Sequence, residues 1–402
     1  LRGKGAVLIE GAKWCGKTST GEQQAKSVIY MSDSARRDQY RIFVDSTPKV
    51  ILDGETPRLI DEWQQTPKLW DMVRFEVDHR HGMGQFILTG SAVPAKLEEL
   101  HHTGTGRIAR LLMRPMSLWE SGDSNGTISL KELFTSPKSI AAENNNDLQR
   151  ISYLICRGGW PQAALLDDDE EIALDQAIDY YDAVVNADIQ RVDGVERNPE
   201  RVKRLMKSYA RSQGTQTSLA EIRNDMLAND QSALDEKTVS SYLDALRKIF
   251  VIEDMPAWNP NLRSKTSIRT TDTRYFVDPS IATAALSIGP NDLMNDLNTL
   301  GLFFETLCVR DLRVFAQALD GNVFHYRDKT GLECDTVVHL RNGDYGLIEI
   351  KIGGDKLIEE GAANLKKLSQ KIDTTKMKSP SFLMILTAVG SFAYRREDGV
   401  YV

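Results

Sequence analysis

The first residues whose types and spacing could support chemistry form a glycine- and lysine-containing segment near the start of the chain. Its pattern, G-x-x-x-x-G-K-[ST], follows an apolar run at 6–9 and opens a stretch of helical character. Backbone N–H groups of such a loop and the positive end of a helix can surround phosphate oxygens. The lysine adds a full charge beside the β- and γ-phosphates, and the hydroxyl after it can bind Mg²⁺. The sequence predicts a nucleotide phosphate site formed by Gly11, Ala12, Lys13, Trp14, Cys15, Gly16, Lys17, Thr18 and Ser19.

A phosphate loop of this kind needs carboxylates at the end of a neighbouring strand. The run Leu59-Ile60 ends in Asp61-Glu62 and supplies two of them. Asp61 would hold Mg²⁺ through water, and Glu62 would orient and activate the attacking water. The alternative is that the pair caps a helix, as Asp and Glu often do. Its position after the phosphate loop favours the functional interpretation.

Further polar side chains follow the next apolar strand and its successor. Thr89 and Ser91 end the run 86–88 and could contact the γ-phosphate or the water; the alternative is a strand-end turn. Arg107 and Arg110 are candidate arginine fingers, a role that requires another subunit or a closing domain. Exposed arginines are also common on surfaces, so these two remain the weaker candidates.

The order of these motifs resembles a known family. The phosphate loop, Leu-Ile-Asp-Glu-Trp-Gln at 59–64, Phe-Ile-Leu-Thr-Gly-Ser at 86–91 and Gly-Arg-Ile to Leu-Trp-Glu at 106–120 occur in sequence. Together they resemble the AAA-type P-loop ATPases of bacteria and archaea whose C-terminal half is a nuclease-like domain of unknown function. The resemblance covers nearly the whole chain. It implies ATP binding at a Walker A loop, Mg²⁺ as the metal and ATP hydrolysis.

A second set of acidic residues lies near the C-terminus. Alternation along a strand puts Glu349 and Lys351 on one face, and Asp335 begins the neighbouring strand of a predicted hairpin. Two carboxylates can bind Mg²⁺ or Mn²⁺, and the lysine can orient or activate a water. The pattern resembles the PD-(D/E)xK nucleases, in which a helix before the sheet carries a glutamate such as Glu305. Cross-strand acid–lysine pairs on an exposed hairpin are the ordinary alternative.

The middle of the chain has a basic surplus that the whole sequence lacks. Residues 197–274 carry 14 Lys/Arg and 10 Asp/Glu, a net charge of +4, which leaves −11 for the rest of a chain whose total is −7. Helices predicted at 218–226 and 235–250, followed by short strands near 251–252 and 275–277, indicate a winged helix. Lys237, Thr238 and Ser240 would face a DNA groove; the alternative is a winged helix used only for packing.

These sites require an α/β chain with three parts. Apolar runs at 6–9, 41–44, 58–60 and 85–88 indicate buried parallel strands with crossover helices. We predict an AAA-type P-loop domain with a parallel sheet over 1–120, and a helical region over 121–290 with a winged-helix-like part at about 197–280. A restriction-endonuclease-like α/β domain follows over 291–402. Because the chain begins with Leu1, five residues before the first strand, truncation at the N-terminus is compatible with the sequence.

The amino-acid composition excludes several classes of protein. With 402 residues, 41% hydrophobic and 27% charged, the chain is neither disordered nor collagen-like, and it has no apolar run of membrane-spanning length. Four cysteines without zinc spacing, and histidines in polar stretches, predict free thiols and surface histidines in a cytoplasmic protein. We expect ATP as ligand, DNA as a candidate partner, no membrane and homo-oligomers as an open possibility. The predicted function is an ATPase coupled to a nucleic-acid-directed nuclease-like domain; the alternative is an ATP-gated scaffold whose nuclease-like domain does not cut.

Overall fold

The computed structural model describes residues 1–93, 103–135, 140–166, 168–228, 234–260 and 271–402. His101 and His102, two of the histidines expected at the surface, lie outside these ranges. The chain divides into two compact units. One contains Leu1–Pro115, Ala183–Pro199 and Ser241–Val251; the other contains Met116–Asp182, Glu200–Ser240 and Ile252–Val402.

Helices and strands of the first third follow the alternation expected of an α/β domain. In chain order they are β1 (Ala6–Glu10), α1 (Lys17–Gln24), β2 (Ser27–Tyr30), α2 (Arg37–Ser46), α3 (Lys49–Leu52), β3 (Arg58–Asp61), a 3₁₀ turn (Trp63–Gln65), α4 (Leu69–Arg80), β4 (Phe86–Gly90) and β5 (Ile108–Leu112).

Helices dominate the middle of the chain, as predicted. The elements are α5 (Leu130–Thr135), β6 (Ala142–Glu143), α6 (Leu148–Arg157), α7 (Pro161–Leu165), α8 (Glu170–Ala183), a π-helical turn (Val184–Asp188), α9 (Ile189–Arg191), α10 (Pro199–Arg211), α11 (Leu219–Leu227) and α12 (Glu236–Lys248).

The last part returns to mixed α and β structure. It contains α13 (Pro279–Leu286), α14 (Pro290–Asn295), α15 (Leu297–Ala318), β7 (Gly321–Arg327), β8 (Glu333–Leu340), β9 (Tyr345–Lys351), α16 (Asp355–Lys371), β10 (Phe382–Thr387) and β11 (Phe392–Ala393).

The N-terminal unit is built on a parallel sheet with strand order β2-β3-β4-β1-β5. Every residue of β3 and β4 is buried, which explains why these strands are short continuous apolar runs rather than alternating ones. Because β1, β3 and β4 are neighbours and parallel, their carboxyl ends meet at one edge of the sheet. That edge is where the polar residues of the predicted phosphate site follow their strands.

One predicted strand is wrong. The run 41–44 lies within α2, and the strand beside β3 is β2, which the sequence analysis did not identify. Tyr40, Phe43 and Val44 contact the core at helical spacing, whereas Ile42 is 64% exposed. A run of four residues was too short to separate the two periodicities.

The C-terminal sheet has strand order β10-β9-β8-β7. Strands β7, β8 and β9 are antiparallel, and α16 connects β9 to the parallel strand β10. The predicted hairpin turn between β8 and β9 is confirmed, and Gly343 there has a φ of 87° that favours glycine. The helix before this sheet, on which Glu305 lies, is α15.

The winged-helix region is described in part. Both predicted helices are present as α11 and α12, and Ser218 forms a capping box with Glu221 at the start of α11. Ile252 and Phe276 form an antiparallel bridge, as do Met255 and Thr273. Residues 261–270, between these segments, lie outside the described ranges, so the wing itself stays a prediction.

No helix within the described ranges is both long enough and apolar enough to cross a lipid bilayer.

Candidate functional site

The phosphate loop lies between the carboxyl end of β1 and the start of α1. Gly16 adopts a left-handed conformation with φ 94°, and a Cβ on Gly11 would lie 2.0 Å from the Met113 carbonyl oxygen. Both positions therefore require glycine for the loop to take this path. Trp14 also has a positive φ, 64°, and its side chain is half exposed at the loop. Positive φ at a bulky residue is uncommon and is found at functional sites.

Lys17 is a buried cation that has no carboxylate partner in the part of the chain that the structure describes. Its side chain is 5% exposed, and Nζ donates a hydrogen bond of 2.6 Å to the Ala12 carbonyl oxygen. The Cys15 sulfur lies 3.9 Å from the same nitrogen, and within the described residues Lys17 forms no ion pair. A buried ammonium is costly when no negative charge is paired with it directly. A phosphate bound in the loop would supply that charge, so the residues fit the predicted nucleotide.

Asp61 joins the phosphate loop to two neighbouring strands. Thr18 Oγ1 and Thr89 Oγ1 each donate a hydrogen bond of 2.7 Å to Asp61 Oδ1. Thr18 stands on α1, Asp61 ends β3 and Thr89 lies in β4, so one edge of the sheet brings the three together. Hydroxyl and carboxylate oxygens are the donors that Mg²⁺ prefers. The predicted pair Thr18 and Asp61 therefore fits a magnesium ion.

Glu62 lies beside this group and is held by three polar neighbours. Its backbone N–H donates to Thr89 Oγ1 at 3.1 Å, Ser91 Oγ donates to its carboxylate at 3.1 Å, and Gln64 Nε2 donates to the same carboxylate. Burial raises the pKa of Glu62, which Lys17 partly offsets. Its backbone is left-handed, with φ 57°. A carboxylate with a raised pKa suits proton transfer from a water.

Gln64 was visible in the sequence only as part of the family pattern. Its Oε1 atom is buried and, in the described residues, lacks a hydrogen-bond partner. Its Nε2 lies 3.4 Å from Ser91 Oγ. An unpartnered buried oxygen next to the Glu62 carboxylate is where a bound water or nucleotide would complete the hydrogen bonding.

Asp188 is a residue beside the phosphate loop that no local sequence pattern indicates. The Lys13 ammonium forms an ion pair with the Asp188 carboxylate, which lies 175 residues away at the end of the π-helical turn. Both residues belong to the N-terminal unit. Asp188 is 7% exposed, whereas the Lys13 side chain is 40% exposed. No local pattern could have paired two residues so far apart.

Three candidates do not join the group. Ser19 is exposed on α1. Arg107 precedes β5 at the amino-terminal edge of the sheet, where its carbonyl accepts from Ala6, and its guanidinium donates to Asp78 at 2.8 Å. The phosphate loop follows the opposite end of β1, so Arg107 does not approach the loop of its own chain. Arg110 pairs with Glu10 at 3.0 Å. A finger role in another subunit stays a prediction for both arginines.

The C-terminal residues Asp335, Glu349 and Lys351 do come together. Lys351 Nζ lies 2.9 Å from Asp335 Oδ2 and 2.6 Å from Glu349 Oε2. The Ile350 N–H also donates to Asp335 Oδ2 at 2.8 Å. Asn364 on α16, which the sequence analysis did not single out, donates to Glu349 Oε1 at 3.2 Å. Lys351 therefore links the two carboxylates across β8 and β9.

Glu305 lies close enough to Asp335 for the charge of that carboxylate to act on it. Burial, followed by the charge of Asp335, raises the pKa of Glu305 to about 8, and the Tyr275 hydroxyl donates to its carboxylate. The same two causes raise the pKa of Glu349 to about 8. Burial alone would lower the pKa of Lys351, but the charges of Asp335 and Glu349 raise it.

A metal ion has less support at these carboxylates than at the phosphate loop. Among the described residues, no group of three or more His, Cys, Asp or Glu side chains is arranged to hold a metal. Lys351 is instead the cation between Asp335 and Glu349. The metal role of Glu305, Asp335 and Glu349 therefore stays a prediction.

The basic segment is partly neutralised by its neighbours. Ion pairs join Lys203 to Glu200 at 3.2 Å and Arg211 to Asp225 at 2.5 Å. Lys207 on α10 is exposed, as is Lys237 at the start of α12. Thr238 and Ser240, the other predicted groove-facing residues, are half-buried on α12.

Comparison with protein families divides the chain into three matched regions. Residues 3–121 match the model described as "AAA domain". Residues 148–292 and 300–402 each match a model described as a domain of unknown function, DUF8612 and DUF4143 respectively. The match and the geometry agree that the N-terminal part contains an AAA-type P-loop domain. The nuclease-like identity of the C-terminal domain stays a prediction.

Similar proteins are distant. The uncharacterized proteins Rv2008c of Mycobacterium tuberculosis and Mb2031c of Mycobacterium bovis are each 23% identical over 350 residues, which cover 86% of this chain and 70% of theirs. Among solved structures, the Walker-type ATPase PABY2304 of Pyrococcus abyssi is 15% identical, with a TM-score of 0.42 and coverage of 70% of this chain and 90% of that one. The ORC2 protein of Aeropyrum pernix is 11% identical, with a TM-score of 0.30 and coverage of 63% and 82%.

Proposed function

We propose that this protein binds ATP with Mg²⁺ at the phosphate loop and hydrolyses it. The observation that carries the proposal is the buried Lys17 ammonium, which lies in a glycine-shaped loop and has no carboxylate partner in the described residues. The pair Thr18 and Asp61 and the carboxylate of Glu62 lie at the same edge of the sheet. These are the parts that phosphoryl transfer to water requires.

Each residue has a role in this reaction. The loop amides and Lys17 would hold the phosphates, and Glu62 would accept the proton of the attacking water. Ser91 and Gln64 would orient the Glu62 carboxylate, while Thr89 holds both Asp61 and the Glu62 backbone. Magnesium held by Thr18 and Asp61 would neutralise charge that develops on the phosphates.

We extend the proposal to the C-terminal domain, where ATP turnover would control a nucleic-acid-directed site formed by Asp335, Glu349 and Lys351. The support is the convergence of these three side chains, with Glu305 coupled to them by its charge. Buried acids with strongly raised pKa values are common at functional sites, although structural networks also produce them.

A specific observation favours a second candidate, an ATP-gated binding or scaffold protein that does not cut. Lys351 already neutralises both Asp335 and Glu349. Such a triad can serve only to hold β8 and β9 in register, as acid–lysine pairs do on ordinary sheets.

The ATPase is tested by measuring ATP binding and phosphate release for the wild type and Lys17→Ala. We expect the variant to lose most binding and turnover, because it removes the buried charge that faces the phosphates. Lys26→Ala, which removes an exposed lysine just after α1, is the matched control and should behave as the wild type. Equal turnover in Lys17→Ala and wild type would refute the assignment.

The C-terminal proposal is tested with Mn²⁺-supplied digestion of DNA and RNA by the wild type, Glu349→Ala and Lys351→Ala. Cleavage by the wild type that both variants lose would support the nuclease. Glu360→Ala removes an exposed acid on α16 and should cut as the wild type does. If the wild type cuts neither nucleic acid, with or without ATP, the scaffold candidate is favoured.

A further inference from the structure

The ion pair between Lys13 and Asp188 connects the phosphate loop to a distant part of the N-terminal unit. Among the described residues, Lys13 is the only side chain or backbone group that donates a hydrogen bond to the Asp188 carboxylate. That carboxylate is 7% exposed, while the lysine reaches it from a partly exposed position in the loop. Lys13 therefore compensates a nearly buried charge that nothing else in this part of the chain compensates.

The lysine belongs to a loop whose shape suits phosphate. Its neighbours Ala12 and Cys15 are buried, and the loop is closed by two glycines in conformations that other residues avoid. A polyphosphate bound there would offer the Lys13 ammonium more negative charge than one carboxylate does. The two anions would compete for a single cation.

Asp188 is the last residue of a π-helical turn, Val184–Asp188, between α8 and α9. Single π-helical turns inside helices are rare and occur frequently at functional sites. Val184, Val185 and Ile189 are fully buried, so the packing of the turn fixes the direction of the Asp188 side chain. Loss of Lys13, its one cation partner among the described residues, would leave this carboxylate nearly buried and unpaired. A movement of the turn would relieve that cost.

We propose that Lys13 exchanges Asp188 for phosphate when ATP binds, and that Asp188 is therefore a positioning residue that sets nucleotide affinity and reports nucleotide state to residues 184–191. The proposal rests on the proposed ATP site. Without nucleotide, Asp188 holds Lys13 away from the position that the phosphates would occupy. With nucleotide, Lys13 leaves and the π-helical turn loses its anchor.

The first test is a double-mutant cycle on ATP affinity. Asp188→Asn keeps the shape and removes the competing charge, so we expect ATP to bind about threefold to tenfold more tightly. In a Lys13→Met background the same substitution should have no effect, because the cation is gone. Asp188→Glu should bind ATP like the wild type. The exposed pair of Lys68 and Asp45 gives the control, and Asp45→Asn should leave ATP affinity unchanged.

The second test keeps the wild-type sequence and therefore does not depend on the folding of any Asp188 variant. Amide hydrogen exchange of peptides that cover 184–191 should become faster on ATP addition in the wild type and stay constant in Lys13→Met. The proposed change of ion-pair partner is overturned if amide hydrogen exchange in the wild type is the same with and without saturating ATP. It is also overturned if folded Asp188→Asn binds ATP with wild-type affinity. If the wild type and Lys17→Ala both fail to bind ATP, the proposed function itself fails, which is a distinguishable result.

Discussion

At the scale of single residues, one hydroxyl connects the Asp61 carboxylate of the proposed ATP site to the backbone of Glu62. Thr89 Oγ1 donates to Asp61 and accepts from the Glu62 backbone, and the residue is 1% exposed. The sequence predicted Thr89 as a contact of phosphate or water. The geometry instead supports a positioning role, because its hydrogen-bond partners are the residues expected to hold metal and water.

We expect Thr89→Val to lower ATP turnover by at least about tenfold while ATP still binds. Valine keeps the shape but leaves Asp61 and the Glu62 N–H without their shared partner, a loss of about 1–3 kcal/mol of hydrogen bonding. Phosphate release and nucleotide titration of the purified variant measure the two effects separately. Thr135→Val changes an exposed threonine on α5 and serves as control. Wild-type turnover in a folded Thr89→Val would show that the hydroxyl is dispensable.

Residues of the phosphate site could be predicted from the sequence where their spacing along the chain determines how their side chains lie relative to one another. Gly11, Gly16, Lys17 and Thr18 form one local motif, and Asp61 follows a recognisable strand. Asp188 was not predictable, because it meets Lys13 only through the fold. The same holds at the C-terminal site, where Asn364 and Tyr275 contact acids on other elements.

At the scale of elements, prediction succeeded where several signals agreed. The hairpin of β8 and β9 combines alternating strands with the turn residues Asn342 and Gly343. The prediction for 41–44 failed because a segment with only three apolar residues, Ile42, Phe43 and Val44, is compatible with a strand as well as with a helix such as α2. The strand that pairs with β3 is β2, which consists of only four residues, Ser-Val-Ile-Tyr. Its pairing depends on the folded structure and is not visible in the local sequence.

Asp278, the N-cap of α13, supports a buried network that positions α15 within its own unit. Its carboxylate accepts from Arg310 and the Gly159 N–H, each at 2.9 Å, and both Asp278 and Arg310 are almost completely buried. We expect Asp278→Ala to lower the free energy of unfolding by about 3–5 kcal/mol, because it leaves Arg310 partly uncompensated. Asp296→Ala removes an exposed N-cap, of α15, and should cost only about 1 kcal/mol. Urea unfolding compares the two; equal losses would contradict the network.

His325 on β7 makes the stability of its unit depend on pH. Its ring is 3% exposed and lies between the Gln216 amide at 3.1 Å and the Thr271 carbonyl at 3.0 Å. Burial lowers the pKa of His325 from 6.5 to about 4. Between these values the unfolded chain binds the proton and the folded one does not, so stability falls as pH falls.

We expect the wild type to lose about 2–3 kcal/mol of unfolding free energy from this group between pH 7 and pH 4. His325→Gln cannot bind the proton, so its loss over the same range should be smaller by that amount. His79→Gln, at an exposed histidine of α4, should retain the wild-type pH dependence. Urea unfolding at both pH values measures the difference, and parallel curves for wild type and His325→Gln would exclude the effect.

At the scale of the whole molecule, the net charge of −7 conceals a local surplus. Residues 197–274 carry +4, but ion pairs such as Arg211 with Asp225 and Lys203 with Glu200 already neutralise part of it. Among the described residues of the segment, Lys207 and Lys237 are exposed to a partner. A DNA contact through this segment would therefore be electrostatic and sensitive to salt.

This distribution predicts where DNA affinity resides. We expect the pair of substitutions Lys207→Glu and Lys237→Glu to weaken binding of a labelled DNA duplex at least about tenfold, because phosphate contacts are lost. The salt dependence of the binding constant should fall by the equivalent of about one to two released ions. Fluorescence anisotropy titrations between about 50 and 200 mM salt measure both quantities. Lys356→Glu and Lys329→Glu change the net charge equally outside the segment. If that control pair weakens binding as much, the acidic total governs DNA affinity and the segment has no special part in it.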